Sequence, residues 1–318
     1  MAFNIESNVA LQQVLATMEV ERKRIAATQT KGYIFIAAGI LLLILGFYLG
    51  FPIPAVIAGL IPIIYGGVLL FKISDALAAY QNAYKRDVIG AGLKFLDESL
   101  SLNPEQGIEA SEFMYTQLFN TEPDRYKTED LVTGCAGKTR FYFAEVHAEY
   151  KTVTQTKNGT RTEWHDIFKG IIFAADFNKK FNGVTIVKPK DFGAAFGAWF
   201  SKNLFSFGSN DVIQLENIDF EKTFVTHGSD QVKSRYILTP AMMERILKLN
   251  QQSKYNISLS FIESRMYIGF PLNRNYFEAP VFKSLLKPET INDDIATIKF
   301  MYDIVKELDL NTRIWGKD

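Results

Sequence analysis

The sequence predicts an α+β chain: an N-terminal transmembrane helical hairpin with stalk helices, followed by a mostly antiparallel sheet domain with packed helices. Three observations carry this. Residues 32–71 contain no Asp, Glu, Lys or Arg. From residue 139 onward, aromatic and β-branched runs are punctuated by Asn-Gly pairs, the residues that turn hairpins. Apolar stripes at helical spacing flank the uncharged stretch on both sides. The expected division is a cytoplasmic amphipathic helix (1–31), the hairpin (32–71), a helical stalk and linker (72–128) and a soluble α+β domain (129–318).

A spanning helix needs about 20 mostly apolar residues, since the hydrocarbon core is about 30 Å thick. Tyr33–Phe51 and Ile53–Phe71 each satisfy this. Pro52 and Pro54 break helices and leave only a short connection, so the two spans run antiparallel. Pro62 predicts a kink in the second. Gly39, Gly46, Gly50, Gly59, Gly66 and Gly67 suit close helix packing in lipid. A cleaved signal peptide has a shorter apolar run and a shorter lead-in. A core hairpin would show polar residues on an outer face. Arg22, Lys23, Arg24 and Lys31 precede the first span; Lys72, Lys85 and Arg86 follow the second. By the positive-inside rule both flanks, and both termini, lie in the cytoplasm of a multi-pass membrane protein.

Leu11, Val14, Leu15, Met18 and Ile25 form one helical stripe before the hairpin. Leu77, Tyr80, Tyr84, Val88, Leu93 and Leu96 form another after it, which Asn103-Pro104 ends. The two can pack antiparallel as a stalk, a surface on which copies of the chain could also associate. A shorter helix is expected over Ile108–Phe119. Strands are expected from Asp130, notably Thr139–Val153 and Thr160–Asp176 about an Asn158-Gly159 turn, then Val184–Val187 after Asn182-Gly183. Further strands are expected at Val212–Leu215, Lys222–Thr226, Ser234–Leu238, Ile257–Phe261 and Arg265–Phe270. Thr239-Pro240 is an N-cap followed by proline at the first helical position, so a helix runs to about Asn250. A last amphipathic helix covers Ile291–Leu308.

Composition limits the chemistry. Lys+Arg and Asp+Glu are both 35, which argues against a basic nucleic-acid-binding surface. The single cysteine, Cys135, excludes an intrachain disulfide and a multi-thiolate zinc site. It has no local base to activate it and reads as a small buried or turn residue. Gly134, Gly137 and Lys138 lack the spacing of a phosphate loop. No nucleophile elbow, dinucleotide fingerprint or calcium loop occurs, so the sequence names no cofactor and no catalytic residue.

One constellation remains. Glu145, His147 and Glu149 share one face of a strand because the side-chain period is two. A hairpin centred on Asn158-Gly159 would pair His147 with Gly170 and Lys151 with Asp166, adding Asp166 to that face and leaving room beside His147. His165 would face Thr152 on the other side. A histidine among carboxylates can act as a general base or take a divalent metal, which makes Glu145, His147 and Glu149 candidate ligands. The simpler reading is the polar outer face of a half-exposed sheet. Phe192, Phe196, Trp199, Phe200, Leu204, Phe205 and Phe207, with Lys188, Lys190 and Lys202 nearby, suggest a helix lying on the membrane or packed on the sheet.

Several phrases resemble one bacterial family: Phe143-Ala-Glu-Val-His-Ala-Glu149, Ile167-Phe-Lys-Gly170, Ala175-Asp-Phe-Asn-Lys179 with Phe181 and Gly183, Asp230-Gln-Val232, Arg235-Tyr-Ile-Leu-Thr-Pro240 and Leu310-Asn-Thr-Arg-Ile-Trp315. Together they resemble the membrane family called domain of unknown function 3137. The resemblance implies a bacterial inner-membrane protein whose cytoplasmic domain has no assigned role and no catalytic residues to carry over. The expected function is a membrane-anchored interaction or ligand-sensing module, with the bilayer and an unidentified protein as partners. The alternative is a metal-assisted hydrolase on the Glu145/His147/Glu149 face.

Overall fold

The computed structural model describes residues 9–156, 159–177, 183–190, 212–253, 256–272 and 275–310. The aromatic stripe expected over 192–207 lies outside them. The chain divides into two compact units: Met1–Phe95 with Phe277–Ala296, and Leu96–Tyr276 with Thr297–Asp318. Residues 277–296 thus pack with the N-terminal helices, although the expected division assigns them to the sheet domain.

In the first unit, helix α1 (Val9–Tyr48) and helix α2 (Pro52–Ala83) form the expected antiparallel hairpin. The amphipathic N-terminal stretch and the first span are one unbroken helix, about 60 Å long at 1.5 Å per residue. The turn is only Leu49 to Phe51, with Gly50 at φ +79°. Pro52 and Pro54 do not break anything: they occupy the first turn of α2, where the missing N–H would have had no partner. The helix also continues through Pro62.

Glycines set the approach of the two helices. A Cβ on Gly39 would meet the Gly59 carbonyl oxygen at 2.5 Å, one on Gly66 would meet the Gly32 carbonyl oxygen at 2.6 Å, and one on Gly46 would meet the Ala55 Cβ at 2.1 Å. Gly67 faces open space. Between Tyr33 and Phe71 most of the large apolar side chains of both helices are exposed.

Beyond the spans the two stripes bury each other as expected. Leu11, Leu15, Met18 and Ile25 are buried, as are Tyr80, Tyr84, Val88 and Leu93. The second stalk helix passes through one π-helical turn, Tyr84–Ile89, and ends at Leu96, short of the expected Asn103-Pro104. There the Asp97 carboxylate accepts the Ser99 N–H at 2.8 Å and the chain turns into a short strand.

Residues 277–296 clasp this stalk through polar contacts that no local pattern reveals. Glu19 and Arg22 form a buried ion pair at 2.8 Å. Glu19 also accepts from the Ser284 hydroxyl and the Leu285 N–H, and Arg22 donates to the Val281 carbonyl. The Gln81 amide both donates to the Ala279 carbonyl and accepts its N–H. The Tyr80 hydroxyl donates to the Pro280 carbonyl, and the Tyr84 hydroxyl to Asp294.

The second unit is built on one eight-stranded antiparallel sheet, β1 (Ser101–Asn103), β2 (Arg125–Ala136), β3 (Thr139–Thr156), β4 (Gly159–Asp176), β5 (Val184–Pro189), β6 (Phe224–Gly228), β7 (Ser258–Ile262) and β8 (Arg265–Pro271). The spatial order is β1-β2-β3-β4-β8-β7-β5-β6. Ala144, Val146, Ile172, Ile186 and Tyr267 face one core with Phe113, Leu118 and Phe119. Phe141, Phe143, Phe173 and Phe270 fill the other face, where Phe270 meets Phe300 and Phe141 meets Tyr302.

Several expected elements differ. Ser234–Leu238 is not a strand: Gln231–Ile237 is a helix, because the Asp230 side chain accepts the Lys233 N–H and caps it. Asn217 similarly caps a helix at Ile218–Thr223, leaving the strand to start at Phe224. Val212 makes a single bridge to His227 in place of a strand. The helix expected over Ile108–Phe119 is only Ala110–Tyr115, ended by Gln117 at φ 54°. Thr239 caps Pro240–Gln252 as expected, and the last helix is Pro288–Glu307.

Two tests follow. The hydrogen bonds from Arg22, joined by those from the Leu285 N–H and the Ser284 hydroxyl, hold the Glu19 carboxyl down to about 2 from its ordinary 4.5, against the upward push of burial. A depressed carboxylate pKa stabilises above the unfolded value, so this contribution is full above pH 4.5 and is lost as pH falls towards 2. Glu19→Ala leaves Arg22 buried without its partner, a change that typically costs about 3–5 kcal/mol. Limited proteolysis of the full chain in detergent should then cleave within 277–296 in the variant at neutral pH and resist in the wild type. Separately, a Cβ at Gly170 would stand 2.0 Å from the Phe270 carbonyl oxygen in a left-handed-region backbone of φ +157°. Gly170→Ala should lower the chemical-denaturation midpoint, by at least about 1–3 kcal/mol of stability.

Candidate functional site: a histidine–carboxylate cluster on the sheet

β2, β3 and β4 lie side by side, and their registers assemble the cluster in rows. Lys127, His147 and Lys169 form one row; Arg125, Glu149 and Asp166 form the next. Asp124 closes the third, accepting the Lys151 N–H at 2.8 Å, and this bond with the Lys151 ammonium holds its carboxyl below the usual range.

The register differs from the one expected. Thr156 pairs with Gly159, so the ladder is offset from one centred on Asn158-Gly159. His147 therefore faces Lys169, Glu149 faces Asp166 and Gly170 faces Val146. A β-bulge between Ala148 and Glu149 leaves Ile167 as the extra residue on β4. Counting in twos from Ile171 and Lys169 would put Ile167 and His165 on the His147 face. The bulge substitutes Asp166 and Trp164.

His147 Nε2 lies 2.7 Å from Asp166 Oδ1. One ligand atom each from His147, Glu149 and Asp166 falls within 4.8 Å of the others. His147 and Asp166 remain accessible, with side-chain exposures of 35% and 50%. Among the described residues, the ion pair of Glu149 is a long contact from Arg125, 3.7 Å, while the Arg125 guanidinium lies 3.6 Å above the Trp164 ring. A cavity of about 110 Å³ adjoins His147, walled by Lys127, Glu129, Glu145, Lys169 and Asn275.

Glu145 shares the strand face but stands outside this trio. Its carboxylate accepts the Tyr276 N–H at 2.5 Å, a structural contact. His165 points to the opposite face, bonded to Thr152 at 2.9 Å and stacked on Tyr150. Cys135 is half-buried at the end of β2, its thiol donating to the Gly137 carbonyl.

Two polar features were not anticipated. Glu112 accepts from the Tyr142 and Tyr267 hydroxyls and pairs with Arg265 at 3.4 Å, pinning the short helix to the sheet. Lys188 is buried in β5, and desolvation pushes its ammonium down to about 8. A lysine directly following the apolar run Val184-Thr-Ile-Val187 is the sequence signal for it.

Residues 166–310 match a family described as "Protein of unknown function (DUF3137)". The resemblance drawn from sequence phrases holds over that stretch, which includes Asp166 but not His147 or Glu149. No curated protein sequence matches the chain. Among solved structures, the mycobacterial trehalose monomycolate transport factor A, TtfA, aligns with a TM-score of 0.36 and 9% identity, covering 71% of this chain and 94% of that one.

The two glutamates on one strand face should separate on mutation. Glu145→Ala leaves the buried-side Tyr276 N–H without its acceptor and should cost about 1–3 kcal/mol. Glu149→Ala should stay within about 1 kcal/mol, since its one ion pair is long and solvated. Chemical denaturation of the two variants in detergent checks the ranking.

Proposed function

We propose, for a chain whose residues 166–310 belong to the DUF3137 family, that it is a membrane-anchored module working by binding a partner or ligand. The observation that carries the anchor is the hairpin. Its most apolar windows have a mean hydropathy of 2.0 and 2.2, yet only 11% and 17% of those residues are buried. A core helix of a soluble protein would bury that surface; a spanning helix gives it to lipid. The paired cationic flanks, Arg22 to Lys31 and Lys72 to Arg86, favour both termini on the cytoplasmic side.

Binding is preferred to catalysis because the polar cluster on β3 and β4 lacks a nucleophile with an adjacent base. The rival reading, a metal-assisted hydrolase on the Glu145/His147/Glu149 face, draws support from the convergence of His147, Glu149 and Asp166. It would displace the binding-only reading if the purified chain turned over a substrate and His147→Ala abolished turnover.

The single thiol makes the topology measurable. The full chain should sediment with membranes, resist alkaline extraction and need detergent for release. Cys135 should react with an impermeant maleimide in inside-out vesicles and not in intact cells. Recovery in the supernatant without detergent would refute the anchor, and labelling of intact cells would refute the orientation.

A further inference from the structure

We infer that His147, Glu149 and Asp166 form a three-ligand site for a divalent transition metal of the zinc class, because the bulged β3–β4 ladder brings one imidazole nitrogen and two carboxylates together. This deepens the binding reading by naming a ligand class; it does not depend on the anchor. The imidazole separates the cluster from an ordinary acidic patch. Nitrogen-plus-oxygen donor sets suit zinc and its neighbours, whereas magnesium and calcium prefer oxygen alone.

The geometry is near what a metal needs. Ligand atoms bound at about 2.0–2.2 Å to one ion stand roughly 3 Å apart. His147 Nε2 and Asp166 Oδ1 are 2.7 Å apart, and the Glu149 oxygen lies within 4.8 Å of both. Small side-chain rotations bring all three onto one ion, which takes the place of the His147–Asp166 contact. The ligands sit on paired strands, and strands hold a donor set more firmly than loops. Arg125 is the built-in competitor. Its 3.7 Å contact to Glu149 partly neutralises the site, while its stacking on Trp164 keeps it from closing over the carboxylate. Three protein ligands leave further positions for water or for a donor from a bound partner.

The test is calorimetric titration of Zn²⁺, and separately Mg²⁺, into the detergent-solubilised full chain, with bound metal quantified after gel filtration. One Zn²⁺ per chain should bind in preference to Mg²⁺. His147→Gln and Asp166→Asn should each weaken binding at least about tenfold, since even outer-shell partners cost that much in metal sites. His165→Gln, on the opposite face, should leave it unchanged. Arg125→Gln should tighten it by releasing Glu149. With Co²⁺ substituted, the visible absorption should report mixed nitrogen–oxygen coordination and vanish in His147→Gln. Absence of stoichiometric Zn²⁺, or equal binding by wild type and His147→Gln in variants that retain wild-type circular dichroism, overturns the proposal. Sedimentation of the same preparation reports on the anchor, so the two failures are distinguishable.

Discussion

The constraint on which the architecture depends is that residues 32–71 offer water no ionic group. Inside hydrocarbon, every backbone N–H and C=O must be satisfied within the protein, and a helix does this segment by segment. Two helices joined by Leu49 to Phe51 are the economical answer, and the turn can be that short because Pro52 and Pro54 fill positions whose donors are unused. In the proposed membrane setting, lipid would supply no hydrophobic drive between the helices. Contact must then come from close approach, which Gly39 against Gly59 and Gly32 against Gly66 provide. Beyond the uncharged stretch, the same two helices form a stalk. Their stripes from Leu11 to Ile25 and Tyr80 to Leu93 are buried.

The stalk shows how polar groups are used where apolar area is limited. Glu19 and Arg22 sit on one helical turn and are nearly excluded from water. A buried pair is costly unless its remaining valences are met. Residues 277–296 meet them, through the Ser284 hydroxyl, the Leu285 N–H and the Val281 carbonyl. The Gln81 amide, bonded twice to the Ala279 backbone, adds a second point of register. These bonds specify where the segment docks more than they add net stability, since each replaces a bond to water.

How much of this could be read from the sequence follows the range of the interactions involved. The hairpin and the stalk stripes are properties of composition and short-range periodicity, and they were legible, as were the contacts at Gly39, Gly46, Gly59 and Gly66 but not the open positions of Gly50 and Gly67. So were β3, β4 and the Thr239 cap. The strand expected at Ser234–Leu238 failed because Arg-Tyr-Ile-Leu has strand-like side chains, while the decision lay with one cap bond from Asp230. The β3–β4 register failed by a single turn position. Since the side-chain period is two, such an offset changes every partner while leaving the strands themselves correct. The bulge at Ile167 is a further long-range consequence: Ile167 is buried, and the strand adjusts to keep both Ile167 and Phe168 in one core. Asp166 was expected on the right face, but beside the wrong neighbour. The clasp by residues 277–296 joins positions from 198 to 266 residues apart, and nothing local encodes it.

The contrast between Glu145 and Glu149 shows why spacing alone does not identify a site. Both stand on the same face of β3, separated by His147, and alternation treats them as equivalent. The neighbouring chain does not. Tyr276 donates its N–H to Glu145 and turns it into a support for the loop. Glu149, among the described residues, pairs with a distant Arg125 that is itself occupied by Trp164. Where a carboxylate already accepts a strong backbone bond, recruiting it to a ligand would break a bond that holds the fold. Where it has one long, solvated ion pair, recruitment costs little. The polar cluster capable of binding therefore shifts one step along the strand, from Glu145/His147 towards His147/Glu149. The bulge completes it by turning Asp166 onto the same side.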